Sequence, residues 1–171
     1  NFHHDPLRLL RAYRFAATHG FQITPETTAA IRRTAPEFTR VAGERVHQEL
    51  FLLLAAPSAA PVLEAMEAVG LLSQVFPELD DMKGVEQNGY HHLDVYGHSL
   101  AAVACLEEVL AAPAAYFGEM AAEVVSYASQ PPKAVLLKLA ALFHDVGKPR
   151  VQGRRRDPER YTFYFHEKVG L

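Results

Sequence analysis

Cysteine is nearly absent from this 171-residue chain, where Cys105 stands alone. A single thiol excludes a disulfide framework and a cysteine-based zinc site, and it fits a reducing compartment. A basic excess is lacking too: seventeen Lys and Arg face twenty Asp and Glu, for a formal charge of -3. Any grip on nucleic acid therefore has to come from a local patch. Long apolar runs are also missing. Residues 51–54 and 134–137 give way to Pro57 and Lys138, far short of the ~20 residues a membrane span requires. The chain opens on Asn1 rather than Met, and residues 167–171 break off inside a helical pattern, so a piece of a longer protein is expected. What is present, 49% hydrophobic and 22% charged residues at a mean hydropathy of -0.05, excludes disordered, collagenous and membrane-embedded chains.

Alternation of period two is almost missing, with residues 161–165 the single doubtful strand, and no fixed-period repeat occurs. Helix signals fill the rest. Asp5 before Pro6 predicts an N-cap and a first helical position, with Gly20 closing the segment. Thr24 and Pro25 repeat the device, and Thr27 sits where a capping-box acid would be. Phe38, Val41, Ala42, Val46, Leu50 and Leu53 predict one amphipathic helix over 38–54. Shorter helices are expected over 61–69, closed by Gly70, and over 71–76 before Pro77. Residues 80–90, with two glycines and no periodicity, read as a linker. Helices resume over 95–112, 114–129 and 133–146. Gly147, Pro149 and Gly153 then mark a loop, and a last helix opens near Tyr161. The expectation is an all-α fold in two helical modules, residues 1–80 and 86–171.

Five of the nine histidines, His91, His92, His98, His144 and His166, follow residue 90. His144 and Asp145 end an apolar helix over 135–143, a costly place for an imidazole and a charge unless they bind something. Divalent Mn, Mg, Fe, Ni or Zn accepts mixed imidazole and carboxylate ligands, and a metal-activated water attacks phosphate. His98 is assigned to an inward helix face with Ala101, Ala102 and Cys105, and Lys148 stands where it could reach a phosphate oxygen. The plainer alternative makes His98 and His144 satisfied core histidines, His91 and His92 helix-orienting residues, and Asp94 an N-terminal helix charge.

Residues 90–100, 139–149 and 164–167 resemble the HD superfamily of metal-dependent phosphohydrolases. The resemblance implies His98, His144 and Asp145 as metal ligands, with Lys148 and His166 as the catalytic candidates beside substrate. It also implies a final aspartate ligand. No aspartate follows Asp157, so that ligand is expected past His166, beyond the end of the chain.

Asp5 and Arg8 lie three apart, on one helical face, where they can pair. A carboxylate beside a guanidinium offers an acceptor and a donor to the edge of a nucleobase; the plainer alternative is a helix cap with a local ion pair. Residues 4–8, 14–21 and 41–50 resemble class II tRNA nucleotidyltransferases (CCA-adding enzymes) and the related bacterial poly(A) polymerases, with His4 where that family has glutamate. The resemblance implies that Asp5 and Arg8 template an incoming CTP or ATP. It further implies that Arg11, on the arginine-rich helix, binds RNA, and that the arginine and glutamate of the 41–50 block brace the templating helix. Arg154, Arg155 and Arg156, expected in a glycine-rich loop, could contact RNA phosphates. Loop arginines are more often simply solvated, and Arg32 and Arg33 are read the same way.

Together the resemblances imply a nucleotidyltransferase neck followed by an HD domain, part of a cytoplasmic enzyme acting on an RNA 3′ end, a tRNA in particular. ATP and CTP would be its substrates and Mg²⁺ would serve its catalytic head. The HD part would hydrolyse phosphoesters such as 2′,3′-cyclic phosphates. No Asp-x-Asp pair in a strand context is present, so nucleotidyl transfer is not expected of this segment alone. Two rivals stay open: a stand-alone HD phosphohydrolase acting on nucleotides, with the first 80 residues structural, and a non-catalytic RNA-binding module.

Overall fold

The computed structural model describes residues 1–87, 93–156 and 159–170, without the side chains of Arg156 and Glu159; His91 and His92 lie outside the described residues. Helix α1 (Leu7–His19) buries Leu7, Leu9, Leu10 and Tyr13 and starts behind Pro6 with no side-chain cap. The Asp5 carboxylate, expected to cap it, turns instead to Arg45. Gly20, at φ 67°, closes α1 by donating its N–H to the Ala16 carbonyl, a left-handed turn that costs glycine nothing. Helix α2 (Pro25–Thr34) carries the expected cap, the Thr24 hydroxyl accepting from the Thr27 N–H at 3.3 Å.

The stripe over 38–54 divides. A 3-10 turn (Ala35–Arg40) is followed by extended Val41 and Ala42 before α3 (Gly43–Leu54). Apolar spacing continues across the break because both pieces face one core, whereas Pro36, Val41 and Gly43 are weak helix formers. Helices α4 (Ala60–Glu67) and α5 (Leu72–Val75) follow. The first residues of the expected linker are instead a 3-10 turn (Pro77–Met82), held by fully buried Leu79 and Met82.

Asp94 caps α6 (Val95–Ala111), its carboxylate accepting from the Gly97 N–H and, at 2.7 Å, from the N–H of Gly84. The helix expected over 114–129 is broken by Gly118 at φ 53°, giving α7 (Pro113–Phe117), a 3-10 turn (Gly118–Met120) and α8 (Ala121–Ala128). Helix α9 (Lys133–Phe143) stops just before His144, and α10 (Lys148–Val151) starts the next segment. Where a loop and a helix start were expected, strands β1 (Gly153–Arg156) and β2 (Glu159–Thr162) form an antiparallel hairpin ahead of α11 (His166–Val169). Apart from this hairpin the described fold is all-α. No single described helix is long and apolar enough to cross a membrane.

One hydrophobic cluster runs from Leu9 and Leu10 of α1 through Leu53, Leu63 and Met82 to Val95, Val103, Val135 and Leu142. It therefore joins both halves of the chain. Lys138 of α9 lies inside, 3% exposed, and donates to the Ala56 carbonyl at 2.6 Å and to Glu107 Oε1 at 2.7 Å. The Glu107 carboxylate also accepts the N–H groups of Ala59 and Ala60 at 2.6 and 3.2 Å. One ion pair thereby satisfies the chain end of α3 and the unpaired donors at the start of α4. Removing Glu107 strands a buried ammonium, so Glu107→Ala is expected to destabilise the fold by about 3 kcal/mol. Lys138→Met is expected to cost less, because Glu107 keeps its two backbone donors; urea denaturation of both variants measures the difference.

Candidate functional site

Three elements converge on Asp145, which is 2% exposed. Helix α9 delivers His144 and Asp145 in the turn after its last residue, α6 supplies His98, and α11 supplies His166. The buried face of α6 consists of Val95, Tyr96, Ser99, Leu100 and Val103. His98 borders that face half-buried, and Cys105 is exposed, which corrects the inward face expected from spacing. From Asp145 Oδ2, His144 Nε2 stands at 3.1 Å and His98 Nε2 at 3.8 Å, and the two imidazoles meet edge to face with centroids 5.2 Å apart. His166 Nε2 lies 3.4 Å from Oδ1.

Each outer imidazole is aimed by its own turn. His144 Nδ1 is 2.8 Å from the Ala141 carbonyl, and His166 Nδ1 is 2.9 Å from that of Phe163. A carbonyl only accepts, so both Nδ1 atoms carry the proton and both Nε2 atoms face Asp145, the usual second contact of a metal-ligating histidine. Gly147 makes the arrangement possible. A Cβ there would collide with the backbone carbonyl of His166 and the Gly170 nitrogen.

Ligand atoms of His98, His144 and Asp145 all lie within 4.8 Å of one another. Buried Oδ2 has no directed hydrogen bond although His144 and Lys148 crowd it. Two imidazole nitrogens and a buried carboxylate oxygen are a donor set that fits a borderline divalent cation. Lys148 does not extend toward solvent: its Nζ is 2.7 Å from Asp145 Oδ2 and 2.7 Å from Gln87 Oε1. Gln87 was not legible as a site residue, since nothing in its sequence neighbourhood signals it. Burial alone would raise the Asp145 carboxyl, but His144 and Lys148 outweigh it and bring it down to about 2. The interaction with Asp145 raises His144 above its ordinary value against the opposing effect of burial.

A second constellation lies on α1. Arg45 Nη2 donates to both Asp5 oxygens, at 3.1 and 3.2 Å, so the expected Asp5–Arg8 pair is replaced by Asp5–Arg45. Arg8 is exposed and has no ion pair among the described residues. Buried Glu49 accepts from Arg11 Nε and Arg14 Nε, each at 2.7 Å and one to each oxygen. Arg11, a candidate RNA contact, is thus committed to Glu49 while its side chain stays 45% exposed. Arg32, expected to be merely solvated, donates to the Ala68 carbonyl at 3.0 Å. Arg154 and Arg155 lie on strand β1 rather than in a loop, on alternate faces; the Arg156 side chain is outside the described part.

Residues 20–83 match a family described as "Probable RNA and SrmB- binding site of polymerase A". The chain is 38% identical over 175 residues to an A-adding tRNA nucleotidyltransferase of Deinococcus radiodurans. It is 41% identical over 179 residues to a CC-adding tRNA nucleotidyltransferase of Thermus thermophilus. Both matches take in 99% of this chain and 36% of the relative. A multifunctional CCA protein of Chromobacterium violaceum is 32% identical over 86% of this chain and 32% of its own length. The chain spans about a third of the length of the curated relatives it matches.

The titration shifts set a pH dependence for the protein without added metal. A raised folded-state value means that the His144 interaction stabilises fully below the ordinary 6.5 and fades as pH climbs through the folded value. Asp145, held down to about 2 against an ordinary 3.8, stays charged across that range. The Tm gap between wild type and His144→Ala is expected to be widest between those ordinary values, pH 3.8 and 6.5, and to shrink above it, as read by thermal denaturation.

Proposed function

We propose, from the premise that this chain belongs to the class II CCA-adding and poly(A) polymerase family, that its α1 segment selects the nucleobase for nucleotidyl transfer to an RNA 3′ end, a tRNA end above all. A polypeptide joining this segment to a catalytic head would add CMP or AMP from CTP or ATP in the cytoplasm, with Mg²⁺ in the head and pyrophosphate leaving. The observation that carries the reading is the hold of Arg45 on both oxygens of Asp5, one helical turn from unpaired Arg8. Cytosine and adenine both present an exocyclic amino group beside a ring nitrogen that accepts. A fixed carboxylate takes the first and a guanidinium serves the second, whereas guanine and uracil place a carbonyl where the amino group should be. Glu49, by clamping Arg11 and Arg14, keeps α1 against α3 and so keeps Asp5 within reach of Arg45.

A second reading is favoured by the donor cluster. His98, His144 and Asp145 would hold a divalent cation, Mn²⁺, Mg²⁺, Fe²⁺, Ni²⁺ or Zn²⁺, which when bound supplies Lewis acidity toward a phosphoester such as a 2′,3′-cyclic phosphate. The chain's own residues orient the site: Ala141 and Phe163 aim the imidazoles, and Gln87 holds Lys148 against Asp145.

Asp5→Ala and Arg8→Ala, assayed in a polypeptide that includes the head, are expected to reduce kcat/KM for CTP and ATP relative to GTP and UTP by roughly 10- to 100-fold. Arg45→Ala is expected to act in the same direction through Asp5, and unchanged base selection in all three removes the templating assignment. For the cluster, isothermal titration of this chain with Mn²⁺ is expected to show one site, weakened at least about 10-fold by His144→Ala and by Asp145→Asn. Equal affinity in wild type and both variants refutes the assignment.

A further inference from the structure

Strand β1 pairs with β2 in a register that sets Arg155 directly opposite Arg160. Side chains so opposed stand about 5 Å apart at Cβ, and like charges there work against pairing. Neither guanidinium is relieved of that repulsion: both are exposed and neither has an ion pair among the described residues. Residues 150–160 carry five arginines (150, 154, 155, 156 and 160) against Asp157 and Glu159, a positively charged stretch of sequence in a chain of net charge -3. Two adjacent forks of N–H donors suit the paired oxygens of a phosphate.

The hairpin's place in the chain says where such a phosphate would lie. It is inserted between Lys148 and His166, both of which touch the Asp145 carboxylate. The Tyr161 hydroxyl donates to Glu86 Oε2 at 2.7 Å, and Gln152 Nε2 donates to the Glu86 carbonyl at 3.3 Å, which fixes the hairpin base beside the same residues that carry Gln87. The Arg155–Arg160 rung is two residues up from Gly153, a rise of about 7 Å. Beyond β2, Tyr164 and Phe165 are 65% and 62% exposed. Phe165 has φ 64°, a left-handed backbone that bulky residues rarely adopt and that tends to persist where it serves a site. It presents its ring immediately before His166, with Lys168 Nζ 4.9 Å over it. Exposed aromatic rings close in sequence to paired arginines are what single-stranded nucleic acid stacks on, and free phosphate would use only the arginines.

We propose that the Arg155–Arg160 rung grips a phosphodiester of single-stranded RNA while Phe165 stacks on a base, so that the strand's end reaches the His98–His144–Asp145 cluster. This rests on the metal reading of that cluster, and it makes the substrate there an RNA terminus rather than a free nucleotide.

Fluorescence anisotropy of the whole chain with a 5′-labelled oligoribonucleotide of about ten nucleotides tests the assignment. Wild type is expected to bind with an affinity that falls as salt rises. Arg155→Ala with Arg160→Ala is expected to weaken binding about 10-fold or more and to flatten the salt slope by about 1.4, two contacts at ~0.7 each. The paired Arg→Lys variant, which keeps charge and guards against misfolding of the alanine variant, is expected to retain the slope. Phe165→Ala is expected to weaken binding with the slope unchanged. Unaltered affinity and slope in the double alanine variant overturn the proposal, as does tripolyphosphate displacing the label as well as unlabelled RNA. Mn²⁺ uptake, measured in parallel, separates the two readings. Arginine-dependent binding without uptake refutes the metal centre and delivery to it, whereas uptake with arginine-independent binding refutes the rung.

Discussion

The first half of the molecule hangs on burying one carboxylate. Glu49 is 7% exposed, and an unpaired charge there would be driven neutral or would drive the helices apart. Arg11 and Arg14 answer it with one Nε donor per oxygen, a pair of charge-assisted bonds that only one register of α1 on α3 allows. Once that register is set, Arg45, one turn before Glu49, comes opposite Asp5. The charged pairs advance in the same direction along both helices, so the position of the solvent-facing pair is inherited from the buried one. Arg8 is left unpaired by the same geometry, which gives the acceptor at Asp5 an available donor neighbour.

The second half applies the same logic around Asp145, with histidines in place of arginines. Two imidazoles are each anchored to a carbonyl three residues earlier, and each anchor is a local turn that sequence neighbours build. What brings the turns together is long-range: the packing of α6 on α9 places His98, and the bare backbone of Gly147 admits α11 with His166. The carboxylate is held ionised by its cationic neighbours despite burial.

The helical class, the Gly20 and Thr24 boundaries, and the grouping of His98 with His144 and Asp145 were all legible in the sequence, because each is a short-range pattern or a motif. What was not legible had specific causes. Asp5 looked like a cap because Asp-Pro starts helices, and only the fold shows that a more attractive cation stands across from it. The stripe over 38–54 kept its period through a break because apolar spacing reports facing, not continuity. The hairpin escaped notice because arginine-rich strands lack apolar alternation. Lys138 was hidden inside an apolar helix, where its lone charge was itself the available signal. Gln87 offered no signal at all, since its role exists only through Lys148.

The Glu107–Lys138 network has an evolutionary corollary. It ties the start of α4 and the end of α3 to helices that come much later in the chain, across the boundary where a splice between two gene segments would most naturally fall. Chimeras that exchange the first eighty or so residues between homologues would keep Glu107 and Lys138 together, but the incoming segment would have to present the Ala56 carbonyl and the Ala59 and Ala60 N–H groups at the same places. Recombination at that seam is therefore filtered by backbone position rather than by side-chain identity, through a polar lock inside the core that ties the two halves of the chain.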